Sequence, residues 1–319
     1  MDYEKEIVRF ISYLSPEKQP STLRRYRYDL IQFFAWLEKA GDDEKEQRLP
    51  GKDEAAAYYS YITEEAGYAP ATKRRILAVL RQWFLYFEDY LAVNLIEGFI
   101  NETKVSPSSD EPPFLLPEEV ERIFETLPSD RGLTENQLKY RHLIRDRNES
   151  VFRLILFYGL TIQELTNLTM DHIHFASNEL ELISRKGKKR KKAIDPEDRK
   201  KLFQYYMNVP EPVRPNRYDN APFLIAFDYQ RGTYRWDYKN NLPKNLTEVS
   251  LQKMIRQEMQ RAGLPNKSAQ QLRKTYIINQ LIQGTDKKAL RDELAFETTQ
   301  PLDDLAEWAV QIKERGFIR

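Results

Sequence analysis

Apolar residues recur at helical spacing along most of the chain, broken by one proline-rich stretch and one short alternating segment. Asp2 to Leu14 reads as a short amphipathic helix that stops at Ser15-Pro16. Ser21 and Thr22 are good cap residues. From there Leu23, Tyr26, Leu30, Phe33, Phe34 and Leu37 form one apolar stripe, with Gly41 as the stop. A third helix is predicted from Asp53 to Glu65, ahead of Gly67. Pro70 and Thr72 open a fourth, with Ile76, Val79, Leu80, Trp83, Phe84 and Phe87 along one side. Residues 1–100 therefore predict a small helical domain.

The stretch from Asn101 to Pro117 holds four prolines and three serines, which fits an extended linker over residues 101–116 and neither a helix nor a central strand. Pro117-Glu118-Glu119 starts a new helix and with it a second domain, residues 117–319. Gln137 to Leu168 is helical with a break at Gly159. Asn178 to Ser184 alternates as a strand, Arg185 to Lys192 reads as a basic turn, and Ala193-Ile194 can pair back. Helices follow at about Pro196–Met207, Leu246–Ala262, Ala269–Gln283, Lys287–Phe296 and Leu302–Glu314. Pro222 to Phe227 fits either a strand or part of a long aromatic-rich connection. The fold class is mainly α, in two domains, with a small β-hairpin.

Composition narrows the chemistry. The 50 basic and 49 acidic side chains of this 319-residue chain nearly cancel, so only local clustering can indicate a polyanionic partner. Cysteine is absent, which excludes disulfide frameworks, thiolate metal sites and cysteine nucleophiles. His142, His172 and His174 have no ligand spacing, so no metal and no cofactor is expected. The charged N-terminus and the lack of an 18-residue apolar run predict a cytoplasmic protein with no membrane partner.

Clustering does occur. The predicted turn at 185–192 has seven basic residues in eight, among them Arg185, Lys186, Lys188, Lys189 and Arg190. Two N-terminal helices begin alike, with a threonine ahead of a basic pair. Arg24, Arg25 and Arg27 follow Thr22, and Lys73, Arg74 and Arg75 follow Thr72, all off the apolar stripes. Helix N-termini with adjacent cations suit phosphate, although capped, solvated faces look the same in a sequence. Arg217, Arg231, Arg235 and Lys239, interleaved with Tyr218, Tyr229, Tyr234 and Trp236, fit either a further basic-aromatic surface or packed loop anchors.

This order of elements resembles the tyrosine recombinase (phage integrase) family over nearly the whole chain. Ser21-Thr22, Tyr26, Asp29-Leu30 and Phe33 are similar to the second helix of its core-binding domain, and Thr72 to Phe87 to the fourth, which carries DNA-facing cations. Gly159-Leu160-Thr161 with Glu164-Leu165 resembles the first active-site box, Thr-Gly-Leu-Arg-x-x-Glu-Leu, with Thr161 at the arginine position. Arg185-Lys186-Gly187 resembles the Gly-Lys-Gly hairpin and puts Lys186 at the catalytic lysine. Gln270-Gln271-Leu272-Arg273-Lys274-Thr275 resembles His-x-x-Arg-His-Ser/Thr: Arg273 is kept, while Gln270 and Lys274 stand at the histidines. Leu294 to Leu302 resembles the terminal Leu-Gly-His…Thr-Thr-x-x-Tyr, with Phe296 at the histidine and Leu302 at the nucleophilic tyrosine.

The resemblance implies two domains that clamp duplex DNA. In the family a tyrosine oxygen attacks phosphorus, two arginines hold the charge that builds on the phosphoryl oxygens, and histidines and lysine manage protons. Thr161 cannot make the arginine's charged bidentate contact, and neither Gln270 nor Lys274 replaces a histidine as an acid–base group. No tyrosine follows Tyr276. The expectation is a DNA-binding protein without strand-transfer activity, with Arg273 and Lys274 as phosphate contacts. A narrower resemblance is to the SPβ-type prophage repressors that control lysogeny. Two alternatives stay open: a divergent recombinase with displaced residues, and an accessory protein. The accessory protein would modulate an active recombinase through its last helix, Leu302 to Glu314, docking Trp308, Ala309 and Ile312 on a neighbour by self-association or on another phage regulator.

Overall fold

The computed structural model describes residues 2–40, 49–103, 112–184 and 187–315. They are mostly helical and fall into two compact units, Met1–Asp110 and Glu111–Arg319. No helix among the described residues is long and apolar enough to cross a membrane.

The first unit is built from α1 (Tyr3–Leu14), α2 (Pro20–Ala40), α3 (Lys52–Ser60), α4 (Pro70–Tyr86) and α5 (Tyr90–Glu102). Asp2 caps α1 by accepting from the Lys5 N–H, and α3 widens into a π-helical turn over Tyr61–Glu65. The stripes expected from the sequence meet in one core. Phe10 and Phe34 pack edge-on against the fully buried Trp83, at 5.3 and 5.2 Å between ring centres, and Leu30, Phe33, Leu80 and Ile96 close around them. The expected linker boundary is corrected at both ends. Helix α5 continues through Glu102, two residues into the stretch read as linker. Phe114 and Leu115, read as its extended end, are buried in the second unit. Apolar side chains outweighed the neighbouring prolines there.

The second unit begins with α6 (Pro117–Thr126), α7 (Glu135–Lys139), α8 (Arg141–Tyr158) and α9 (Ile162–Thr166). Helix α8 is its axis, with Val151, Phe152, Leu154, Ile155 and Leu156 all buried. Gly159 closes it in the left-handed region at φ 68°, and its missing side chain leaves room for the Tyr276 ring. Three antiparallel strands follow, β1 (Ile173–His174), β2 (Glu179–Ile183) and β3 (Lys189–Ala193), in the order β1-β2-β3. Lys189 to Lys192 of the basic segment are thus strand, a correction to the turn expected from its charge; Leu182 faces Arg190, and Glu181 faces Lys191. Helix α10 (Pro196–Asn208) packs on α8. Two small hairpins, β4 (Phe227–Asp228) with β5 (Thr233–Tyr234) and β6 (Trp236–Asp237) with β7 (Leu242–Pro243), resolve the aromatic-rich connection. Four helices end the chain: α11 (Glu248–Arg261), α12 (Ala269–Ile282), α13 (Lys287–Glu293) and α14 (Gln300–Arg315).

Candidate functional site

Helix α12 begins at a capping box, in which Ser268 and Gln271 satisfy each other's backbone N–H groups. That fixes the first turn, and with it Gln270 and Arg273. Thr161 makes the same kind of box with Glu164 at the start of α9. The two helix starts share one cavity of about 370 Å³, lined by Thr161, Gln270 and Arg273 together with Gln252 and Arg256 of α11. Residues of two separate sequence motifs are thus brought together. Arg256 was not singled out from the sequence, where only its i,i+4 spacing from Gln252 on a helix marked it.

Arg273 is held on several sides. Its Nε donates to the Gly159 carbonyl (2.9 Å) and its Nη2 to that of Leu294 (3.3 Å), while its guanidinium lies 4.9 Å from the centre of the Phe296 ring. Burial draws its pKa down to about 10, with Glu164 opposing and Arg190 adding to the shift. It therefore stays charged at neutral pH. Phe296, at the position that resembles a histidine, supports Arg273 as an aromatic platform. Lys274 is half-buried on the next step of α12 and is not among the residues lining the cavity.

The basic strand is more neutralised than its composition suggests. Because side chains alternate across a strand, Arg190 and Lys192 share the face of Leu180 and Leu182, whereas Lys189 and Lys191 point to solvent. The Arg190 side chain is only 9 % exposed and grips the Glu164 carboxylate through Nε (3.1 Å) and Nη2 (2.9 Å). Its expected role as a DNA contact is therefore corrected to an internal one. Lys192 bonds Glu293 and the Tyr276 hydroxyl. On the outer face Lys189 meets Glu181 at 2.7 Å, and Lys191 meets Glu179 at 3.7 Å. Such exposed pairs are loose and exchange readily. Lys188 is exposed, and Arg185 and Lys186 lie outside the described residues.

Neither Leu302 nor Tyr276 presents an exposed hydroxyl. Leu302 is fully buried among Leu290, Leu294 and Leu305. Tyr276 is buried on α12 and donates to Glu293; burial first, then that bond, hold its phenol far above its ordinary pKa. Burial alone would raise the Glu293 carboxyl, but Lys192 and Tyr276 hold it below the usual range. The expected docking stripe of the last helix is also corrected: Leu302, Leu305, Ala309 and Ile312 of α14 are buried against α12 of the same chain, and Trp308 packs edge-on against Phe114.

In the first unit, Asp29 is buried on α2 and bonds Arg75 of α4, with Arg25 at 3.6 Å. Burial raises the Asp29 carboxyl pKa against the pull of those two cations. Arg75 and Arg25 are thereby tied to the helix pair, and Arg27 pairs at 3.2 Å with Glu4. Arg24, Lys73 and Arg74 make no ion pair among the described residues, and Arg24 and Arg74 are exposed. In the connection before α11, Arg217 lies over the Phe203 ring and Tyr234 is buried, so both act as anchors, while Tyr238 is exposed.

Residues 7–89 match the model of the phage integrase N-terminal SAM-like domain. The tyrosine recombinase XerC of Staphylococcus aureus (strain USA300 / TCH1516) is 25% identical over 288 residues, covering 89% of this chain and 86% of the relative. XerC of Caldanaerobacter subterraneus subsp. tengcongensis is 25% identical over 210 residues, covering 60% of this chain and 55% of the relative. Among solved structures, the XerH site-specific recombinase bound to palindromic difH substrate matches with a TM-score of 0.67 at 17% identity, over 92% of this chain and 78% of that one. The Tn1549 transposon integrase in complex with circular intermediate DNA matches with a TM-score of 0.63 at 14% identity, over 94% of each chain. At these identities the two structures speak to the fold alone.

Proposed function

We propose that this chain, which belongs to the tyrosine recombinase family, binds double-stranded DNA sequence-specifically and does not cut it. In this reading it acts as a transcriptional repressor of the prophage type, controlling lysogeny. The observation that carries the loss of cutting is the nucleophile position: a fully buried leucine, Leu302, stands there, and the last tyrosine of the sequence is Tyr276, a buried core residue. A covalent intermediate on tyrosine needs an exposed phenol that can lose its proton, and Tyr276 is neither. Thr161 and Gln270 remove charge and proton transfer from the same pocket.

Binding rests on what is left. Arg273 and Arg256 form a cationic pocket suited to one phosphate. Arg24, Lys73 and Arg74, with Arg185, Lys186 and Lys188, supply further backbone contacts. The solved relatives named above are complexes with DNA, which supports the partner. Phosphate contacts position the protein, whereas sequence choice requires base-edge contacts in the grooves. Genome-wide mapping of bound sites tests the repressor role: occupancy of many promoters is expected, and occupancy of a single attachment-type junction would overturn it.

A further inference from the structure

A second cleft of about 510 Å³ opens in the Glu111–Arg319 unit between the start of α8, the β4–β5 hairpin and α11. Its charged lining is Arg141, Arg147, Arg235, Lys253 and Arg261, against the single carboxylate of Glu258. Arg141, Arg147, Arg261 and Glu258 are each more than nine-tenths buried.

Their hydrogen bonds do not balance the charge. Glu258 is shared by Arg141, Arg261 and the Asn148 amide. The remaining recorded acceptors are uncharged, chiefly the Ser129 carbonyl for Arg141 and Arg261 and the Ile225 carbonyl for Arg147. Asp130 approaches Arg141 Nε only to 3.8 Å, from an exposed position. Arg141 Nε is buried with no hydrogen-bond partner. Burial lowers the Arg141 pKa, and Arg261 and Arg145 add to that effect against Glu258 and Asp130. Three buried guanidiniums thus face one buried carboxylate. Uncompensated buried charge is unfavourable unless a counter-charge neutralises it. Phe227, Tyr229 and Met254 supply apolar wall beside this charge, and the volume suits a molecule of about nucleotide size.

We infer that this cleft binds a small organic anion, its oxyanion group seated on the Arg141–Arg147–Arg261 cluster and its body against the aromatic wall. The site is separate from the Thr161–Arg273 cavity and does not depend on DNA binding. The oxyanion is a phosphate or a carboxylate, and two probes separate them: calorimetric titration of the full chain with inorganic pyrophosphate and with citrate, at fixed ionic strength. One probe is expected to bind saturably, with one site per chain assigned to this cleft by its sensitivity to the variants below. Gln257→Trp, an exposed α11 residue that lines the cleft, should weaken that binding at least about tenfold, as should Ser250→Trp. Near-ultraviolet circular dichroism will show that both variants stay folded. Val310→Ala, an exposed α14 residue that lines neither cavity, should stay within about twofold of wild type. Absence of saturable binding by either probe, or wild-type affinity in both tryptophan variants, would overturn the proposal.

Discussion

Glu164→Ala is expected to destabilise the protein by about 3–5 kcal/mol, the range for breaking a buried ion pair by removing one partner. Glu164 accepts two bonds from Arg190 and two more from the Thr161 backbone and hydroxyl, so one truncation undoes an ion pair and a helix cap together. It also removes the carboxylate that opposes the lowered pKa of Arg273, and leaves Arg190 and Arg273 as neighbouring buried cations. Glu164→Gln keeps acceptors for the cap and for part of the Arg190 fork, and should cost clearly less. Urea unfolding midpoints of the wild type and the two variants, at constant m-value, measure the difference. A loss below about 1 kcal/mol for the alanine variant would show that Arg190 finds another anion or reaches solvent, and would reopen its role as an outward contact.

Replacing Arg24, Lys73 and Arg74 together with alanine is expected to flatten the salt dependence of DNA binding by about three units in log K against log salt, since each phosphate contact on duplex DNA contributes about 0.9. Near physiological salt that corresponds to a loss of about a hundredfold, nearly equal for every sequence, because backbone contacts carry no base information. The fold should be untouched, as these three side chains make no ion pair among the described residues. Fluorescence anisotropy at several salt concentrations, on one specific and one unrelated duplex, measures both effects. An unchanged slope would remove the first unit's helix starts from the interface.

The helices of both units were legible because apolar residues recur at helical spacing. The stops were legible because glycine and proline stand at them, Gly159 being the clearest. Only the end of β3 was legible, Ala193 pairing back with Glu179 as expected; the rest of the strand was not. Its Lys189-Arg190-Lys191-Lys192 run offers no apolar alternation, and its real alternation is between solvated lysines and cations paired inward. The acids that make Arg190 and Lys192 internal, Glu164 and Glu293, lie 26 and 101 residues away, a distance that no local pattern spans. Basic residues therefore looked alike in the sequence while the fold sorts them. The same limit hid Arg256 and the Arg141–Arg147–Arg261 cluster, whose members belong to separate elements. That no tyrosine follows Tyr276 was legible because it depends only on which residues are present; the closed apolar cluster around Leu302 came from packing.

The chain is proposed to hold DNA without joining to it. The most direct measurement incubates the protein with a nicked suicide duplex carrying its mapped site, under conditions where a gel shift shows the duplex fully bound, and then denatures the mixture. The expected result is complete binding with no protein–DNA species surviving denaturation. A covalent adduct that survives, at any yield above that of a denatured-protein control, would contradict it.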